Sequence, residues 1–208
     1  MLNSEFIPAQ KKDSRRLLIA LHGLGDSPAG YRWMPDELAL PEMNYLLVNA
    51  PDSYYEGFSW FDIYGDAAPG IERSRKLLFA LLDAQAKAGF PTSETVLFGF
   101  SQGCLLTTDV GFRYPHQFAG LVAISGWVHE PERLLKELSP VAREQRMLFT
   151  HGTHDPMVPC AKVREQVKAL GAAGLNIEWR ELAKAHTIAG REELTVIREF
   201  IAEGFRGR

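Results

Sequence analysis

Five short apolar runs punctuate the chain: RLLIAL (16–21), YLLVNA (45–50), TVLFGF (95–100), GLVAIS (120–125) and RMLFTH (146–151). Each is continuously apolar rather than alternating, which predicts strands covered on both faces, as in a parallel sheet. A sixth run, NIEWREL (176–182), mixes charges with apolar residues and predicts an edge strand. Between the runs lie segments of helical period. Residues 70–88 place Ile71, Leu78, Leu81 and Leu82 on one face before Gly89 and Pro91 stop them. Residues 101–113 predict a second helix, ended near Tyr114 by Pro115, and 160–172 a third. The last, 190–203, carries Leu194, Ile197 and Ile201 at helical spacing. Strands alternating with helices predict an α/β sheet with right-handed crossovers. Residues 126–145 leave room for one short helix and for no separate lid domain, so a site at the strand ends is expected to be open.

Composition narrows the class. With 208 residues, 46% hydrophobic and 24% charged, the chain is expected to form one domain, 1–208, around a substantial core. A net charge of −3 supplies no basic field for nucleic acid. No uncharged apolar run approaches the ~18 residues that a membrane span needs, so stable membrane insertion is not expected. The opening MLNSEFIPAQKKDSRR lacks the apolar stretch of a secretory signal, and a cytoplasmic protein is the expectation. Two cysteines, Cys104 and Cys160, make neither a disulfide framework nor a CxxC motif.

The candidate chemistry lies in VLFGFSQGCLLT (96–107), where an apolar run is interrupted by Gly99, Phe100, Ser101, Gln102 and Gly103. One reading is an ordinary strand-to-helix turn. The other is G-x-S-x-G, in which the serine occupies a strained turn at the carboxyl end of a strand and the glycines allow close strand–helix approach. A strand before and a helix after favour the second. A serine hydroxyl needs a base to take its proton and a carboxylate to orient that base.

Six histidines compete for the base. His22 precedes the serine, His116 adjoins Pro115, His129 follows SGW, and His151 and His154 are in the loop carrying the acid candidate. Only His186, in LAKAHTIAG, lies between the last strand and the last helix, the order Ser–acid–His of the hydrolase arrangement. Asp155, in HGTHDPMVP, directly follows a strand and is the acid candidate; its rival role is an Asx-turn, and one residue serves both at no contradiction. Glu178 and Glu181 fall in the edge strand, and Asp109 lies two helical turns past Ser101. Backbone N–H groups must also meet the charge that develops on a carbonyl oxygen. The amides of Leu24, in LHGLGDS, and of Gln102 are the natural pair, which leaves His22 as a structural hydrogen bonder. A metal site at His151, His154 and Asp155 rests on nonspecific spacing and is not expected.

Taken together, LHGLGDS, APDS, WFDIYG, GFSQGC, ISGW, HGTHDPMVP and AHTI resemble the phospholipase/carboxylesterase family of α/β-hydrolases, in order from about residue 17 to 201. The resemblance implies a mostly parallel sheet flanked by helices, a Ser101–Asp155–His186 triad and an oxyanion hole at Leu24 and Gln102. It also implies that Trp60 and Phe61 lie beside an acyl pocket, although an aromatic run such as YYEGFSWFDIY (54–64) is more often core than pocket. The AKA ahead of His186 departs from the glycine found there in many members. The expected activity is hydrolysis of short- to medium-chain acyl esters or thioesters, with no cofactor and no metal. A non-catalytic receptor or a peptidase on the same fold are the alternatives. Aromatic residues, where exposed, would suit a homodimer.

Overall fold

The structure, a computed structural model, describes residues 2–206; Met1, Gly207 and Arg208, at the ends of the expected 1–208 domain, lie outside the described residues. Seven strands form one sheet: β1 (Ser4–Ile7), β2 (Arg16–Leu21), β3 (Met43–Val48), β6 (Thr95–Phe100), β7 (Gly120–Ile124), β8 (Arg146–Gly152) and β9 (Asn176–Leu182). Their spatial order is β1-β3-β2-β6-β7-β8-β9, and only β1 runs antiparallel to its neighbour. The polar strand β9 is at the edge, as its mixed sequence predicts. Between β3 and β6 lie β4 (Asp52–Tyr54) and β5 (Gly57–Ser59), a separate hairpin.

The helices are α1 (Met34–Leu38), α2 (Ala68–Lys87), α3 (Gln102–Arg113), α4 (Pro131–Lys136), α5 (Cys160–Ala172) and α6 (Gly190–Gly204). The sheet divides the core in two. Leu17, Ile19 and Leu21 join Leu78, Leu105, Val163 and Leu170 on one face, while Leu18 and Ala20 meet Met34, Leu38, Ile197 and Ile201 on the other. Helices therefore cover both faces, which is why RLLIAL contains no polar alternation.

Several boundaries differ from the sequence expectation. The second run begins at Met43 rather than 45, because β3 pairs in register with β2 from Arg16↔Met43 to Leu21↔Val48. Asn49 and Ala50 leave the sheet, and the Ala50 N–H donates to His22 Nε2. The 101–113 helix starts at Gln102, with Ser101 outside it. β1, α1 and the β4–β5 hairpin were not anticipated; each is five residues or fewer, too short for hydrophobic period to be read. Among the described residues no helix is long and apolar enough to cross a membrane.

Candidate active site

Parallel strands bring their carboxyl ends to one edge of a sheet, and every candidate loop follows one of them. Residues 22–26 follow β2, Ser101 follows β6, Asp155 follows β8 and His186 follows β9. Ser101 stands between β6 and α3 at φ 54°, ψ −112°, a backbone conformation that L-residues rarely adopt. Its N–H donates to Ile124 O at 2.9 Å, which holds the turn against β7.

The flanking glycines are needed for close approach. A Cβ on Gly99 would overlap the Gly103 carbonyl, and one on Gly103 would overlap the Leu21 carbonyl. Both obstacles are backbone, which cannot rotate away. Gly103→Ala is therefore expected to push α3 off β2 and cost at least about 1–3 kcal/mol, as overpacked cores do. A urea midpoint matching that of the parent protein would contradict this packing.

The three side chains expected to act together meet. His186 Nε2 lies 3.0 Å from Ser101 Oγ, and His186 Nδ1 lies 2.7 Å from Asp155 Oδ2. Asp155 serves two purposes with its two oxygens. Oδ1 accepts the N–H groups of Met157 (2.9 Å) and Val158 (2.8 Å), making the Asx-turn, while Oδ2 is turned toward the imidazole. Burial pushes the Asp155 carboxyl up, but the Val158 amide, His186 and the Met157 amide together hold it below the usual carboxylate range. An ionised Asp155 fixes the proton of His186 on Nδ1 and leaves Nε2 as an acceptor for the serine hydroxyl. The imidazole also rests against the Phe100 ring, 5.0 Å between centroids.

The competing candidates are engaged elsewhere. His22 is buried; Nδ1–H donates to Gly23 O at 2.7 Å and Nε2 accepts from Ala50. Burial pulls its imidazole below the ordinary histidine range, so it stays neutral. It is the structural hydrogen bonder that the sequence suggested. His151 is buried beneath Asp155 and donates Nε2–H to Val158 O at 2.9 Å, whereas His154 is exposed. Asp109 is held by Arg75 and Arg113, and Glu181 by Arg164.

Leu24 and Gln102 both line the cavity above Ser101. Gln102 opens α3, and the first N–H groups of a helix have no intrahelical acceptor. The Leu24 loop is locked to β5 by Gly25 N–H to Phe58 O (2.8 Å) and Phe58 N–H to Asp26 O (3.0 Å). The Gln102 side chain has a role that sequence reasoning missed. It is buried, with Oε1 accepting from the Trp60 N–H (2.9 Å) and Nε2 donating to Phe61 O (2.8 Å). This pins the segment after β5 against the nucleophile turn. A glutamine directly after the candidate nucleophile was the available signal.

That segment corrects one expectation. Phe61 lines the cavity and meets Trp127 edge-to-face at 6.1 Å, but Trp60 does not line it. Trp60 is fully buried behind the wall, where its Nε1–H donates to His22 O at 2.9 Å. The aromatic run thus divides between core and surface, with Tyr55 and Tyr64 exposed. The cavity has a volume of about 400 Å³ and apolar walls from Phe61, Ile63, Trp127, Met157 and Val158. A second cavity, of about 530 Å³, opens on the other side of Phe100 and His186 and is bordered by Asp26, Trp33 and Glu37.

Comparison with known proteins bears on this arrangement. The phospholipase/carboxylesterase family model matches residues 2–204. Acyl-protein thioesterase 1 of Schizosaccharomyces pombe is 33% identical over 155 residues, 68% of this chain and 69% of that protein. The crystal structure of esterase PE8 superposes with a TM-score of 0.84 at 27% identity, covering 97% of this chain and 98% of that one. The Bacillus cereus carboxylesterase shares the fold with a TM-score of 0.83 at 20% identity, covering 99% and 95%. The chain belongs to the phospholipase/carboxylesterase family of α/β-hydrolases.

Proposed function

We propose that the protein is a serine carboxylic-ester hydrolase, acting in a single domain on short- to medium-chain acyl esters or thioesters through an acyl-enzyme. The observation that carries this reading is the continuous hydrogen-bonded line from Ser101 Oγ through His186 to Asp155, at the floor of an apolar cavity. Names of relatives, acyl-protein thioesterase and esterase, support the class of bond attacked.

Ser101 Oγ attacks the acyl carbonyl as His186 Nε2 takes its proton. Asp155, kept ionised, stabilises the imidazolium. The carbonyl oxygen, now negative, is met by the amides of Leu24 and Gln102. The imidazolium then protonates the departing alcohol or thiol, leaving an ester on Ser101. Water enters, gives its proton to His186, and the same steps release the acid. No cofactor takes part in this sequence.

The apolar cavity receives the acyl chain, and the cavity bordered by Asp26 and Glu37 receives the leaving group. Ligand pockets span roughly 300–1,000 Å³, so about 400 Å³ lies near the small end and suits short chains. A panel of p-nitrophenyl esters from acetate to laurate, with thioester counterparts, tests this reading. A peptidase would cleave a peptide panel that an esterase leaves intact. Phe61→Ala deepens the cavity and is expected to raise kcat/KM for the octanoate relative to the butyrate by about tenfold. An unchanged ratio would place the acyl chain elsewhere.

A further inference from the structure

The loop that carries His186, residues 183–189, has one fully inward residue, and it is a lysine. Lys184 is 5% exposed, while residues 183, 185 and 187 are exposed on either side of it. Its Nζ lies 2.5 Å from Glu193 Oε1, and Glu193 is 0% exposed. The pair is tied to the loop at two further points. Lys184 Nζ donates to Thr187 O at 2.8 Å, and Glu193 Oε2 accepts the Ala189 N–H at 2.6 Å. Thr150, on β8, donates its hydroxyl to Glu193 Oε1 at 2.5 Å and so fixes the assembly to the sheet. The Lys184 carbonyl accepts the His154 N–H at 3.1 Å, which joins this loop to the one bearing Asp155.

We propose that the buried Lys184–Glu193 pair is a positioning device for His186, holding residues 184–189 as a closed ring with the imidazole at its apex. This rests on the reading of His186 as the general base. The physical argument is one of direction. An ion pair this deep gives up hydration that its mutual attraction only roughly restores, and apolar residues of similar volume are commonly as stabilising. What apolar residues lack is hydrogen bonds to the backbone of a short loop. Here Thr187 O, the next residue after the histidine, accepts from Lys184 Nζ, and the Ala189 N–H donates to Glu193 Oε2. Glu193 is also in the first turns of α6, where the helix dipole favours a carboxylate. The Thr187 N–H to Ala185 O bond, 2.9 Å, closes a tight turn around His186 and leaves its ring direction to the clamp.

The test uses the double variant Lys184→Met/Glu193→Leu, which leaves no unpaired buried charge, and Thr150→Val, which removes only the anchor to β8. Rates are expressed per Ser101 reactive toward a fluorophosphonate probe, so that a loss of folded protein does not count. Displacing a catalytic group by about 1 Å costs on the order of a hundredfold, so kcat of the double variant for p-nitrophenyl butyrate should fall about ten- to a hundredfold while KM stays within about twofold. The rate of fluorophosphonate labelling should fall by the same factor, because it too depends on the activated serine. Thr150→Val should lower kcat by about threefold. A folded double variant with parental kcat per reactive serine overturns the proposal and leaves the pair as scaffolding. Should the double variant not fold, Thr150→Val decides: a fall in kcat at constant KM supports the clamp, and parental kcat overturns it. A Ser101→Ala control separates the two readings, since activity surviving in that control would remove the hydrolase mechanism and not the clamp alone.

Discussion

Ser101→Ala is expected to lose about a million-fold in kcat on p-nitrophenyl butyrate while keeping its fold, since removing the nucleophile of such a triad costs that much. The magnitude follows from what the hydroxyl is set up to do. Its oxygen is 3.0 Å from the imidazole nitrogen on the side away from Asp155, and it sits on a turn whose φ of 54° exposes it at the sheet edge. Alanine is no worse than serine at that φ, so folding should be unaffected and the loss is chemical. Fluorophosphonate labelling provides the second readout. The parent should label at one site and the variant at none. A receptor with an unactivated serine would label in neither, and hydrolysis undiminished in the variant would remove Ser101 as the nucleophile.

Asp155→Asn is expected to lower kcat by about ten-thousandfold, through the tautomer of His186 rather than its position. An amide in place of the carboxylate presents an N–H where Oδ2 now accepts, or reverses and breaks the Asx-turn that Oδ1 makes with Met157 and Val158. In the first arrangement Nδ1 of His186 is no longer held protonated and Nε2 ceases to accept from Ser101; in the second the turn that places the acid is lost. Acidification offers an independent check with a definite sign. The Asp155 carboxyl is held below the usual carboxylate range in the folded state, so it binds protons less readily there than in the unfolded chain. Its contribution to stability is present in full above the ordinary carboxylate pKa of about 4 and is lost as pH falls through the lowered folded value. The difference in thermal midpoint between parent and Asp155→Asn should accordingly be largest near neutral pH and shrink on acidification. A difference that widened at low pH would contradict an ionised, partnered Asp155.

Much of this site was legible along the chain, for reasons that differ from residue to residue. Ser101 was legible because a strand, a glycine-flanked turn and a helix are all local, and the overlap of any Cβ on Gly99 or Gly103 with backbone explains why glycines stand there. Asp155 and His186 were legible by the order Ser–acid–His, each lying in a loop that follows a predicted strand. Trp60 and Phe61 were not separable. Which of two adjacent aromatics faces the cavity depends on how the segment leaves the β4–β5 hairpin, and the Gln102 side chain, 42 and 41 residues away, holds it there. Lys184 entered the sequence analysis only within the AKA ahead of His186, because its partner Glu193 lies beyond the loop, in α6.

The amino-acid sequence by itself determined the layered α/β architecture and the residue types at the site, since continuous apolar runs, helical period and turn glycines all act over a few neighbouring positions. Only the tertiary structure decided that both oxygens of Asp155 are used, that Phe61 and not Trp60 walls the cavity, and that a buried ion pair brackets His186. These depend on side chains from separate strands arriving at one edge, within hydrogen-bond distance. Such meetings are set by strand register and helix packing over the whole fold, which no local pattern encodes.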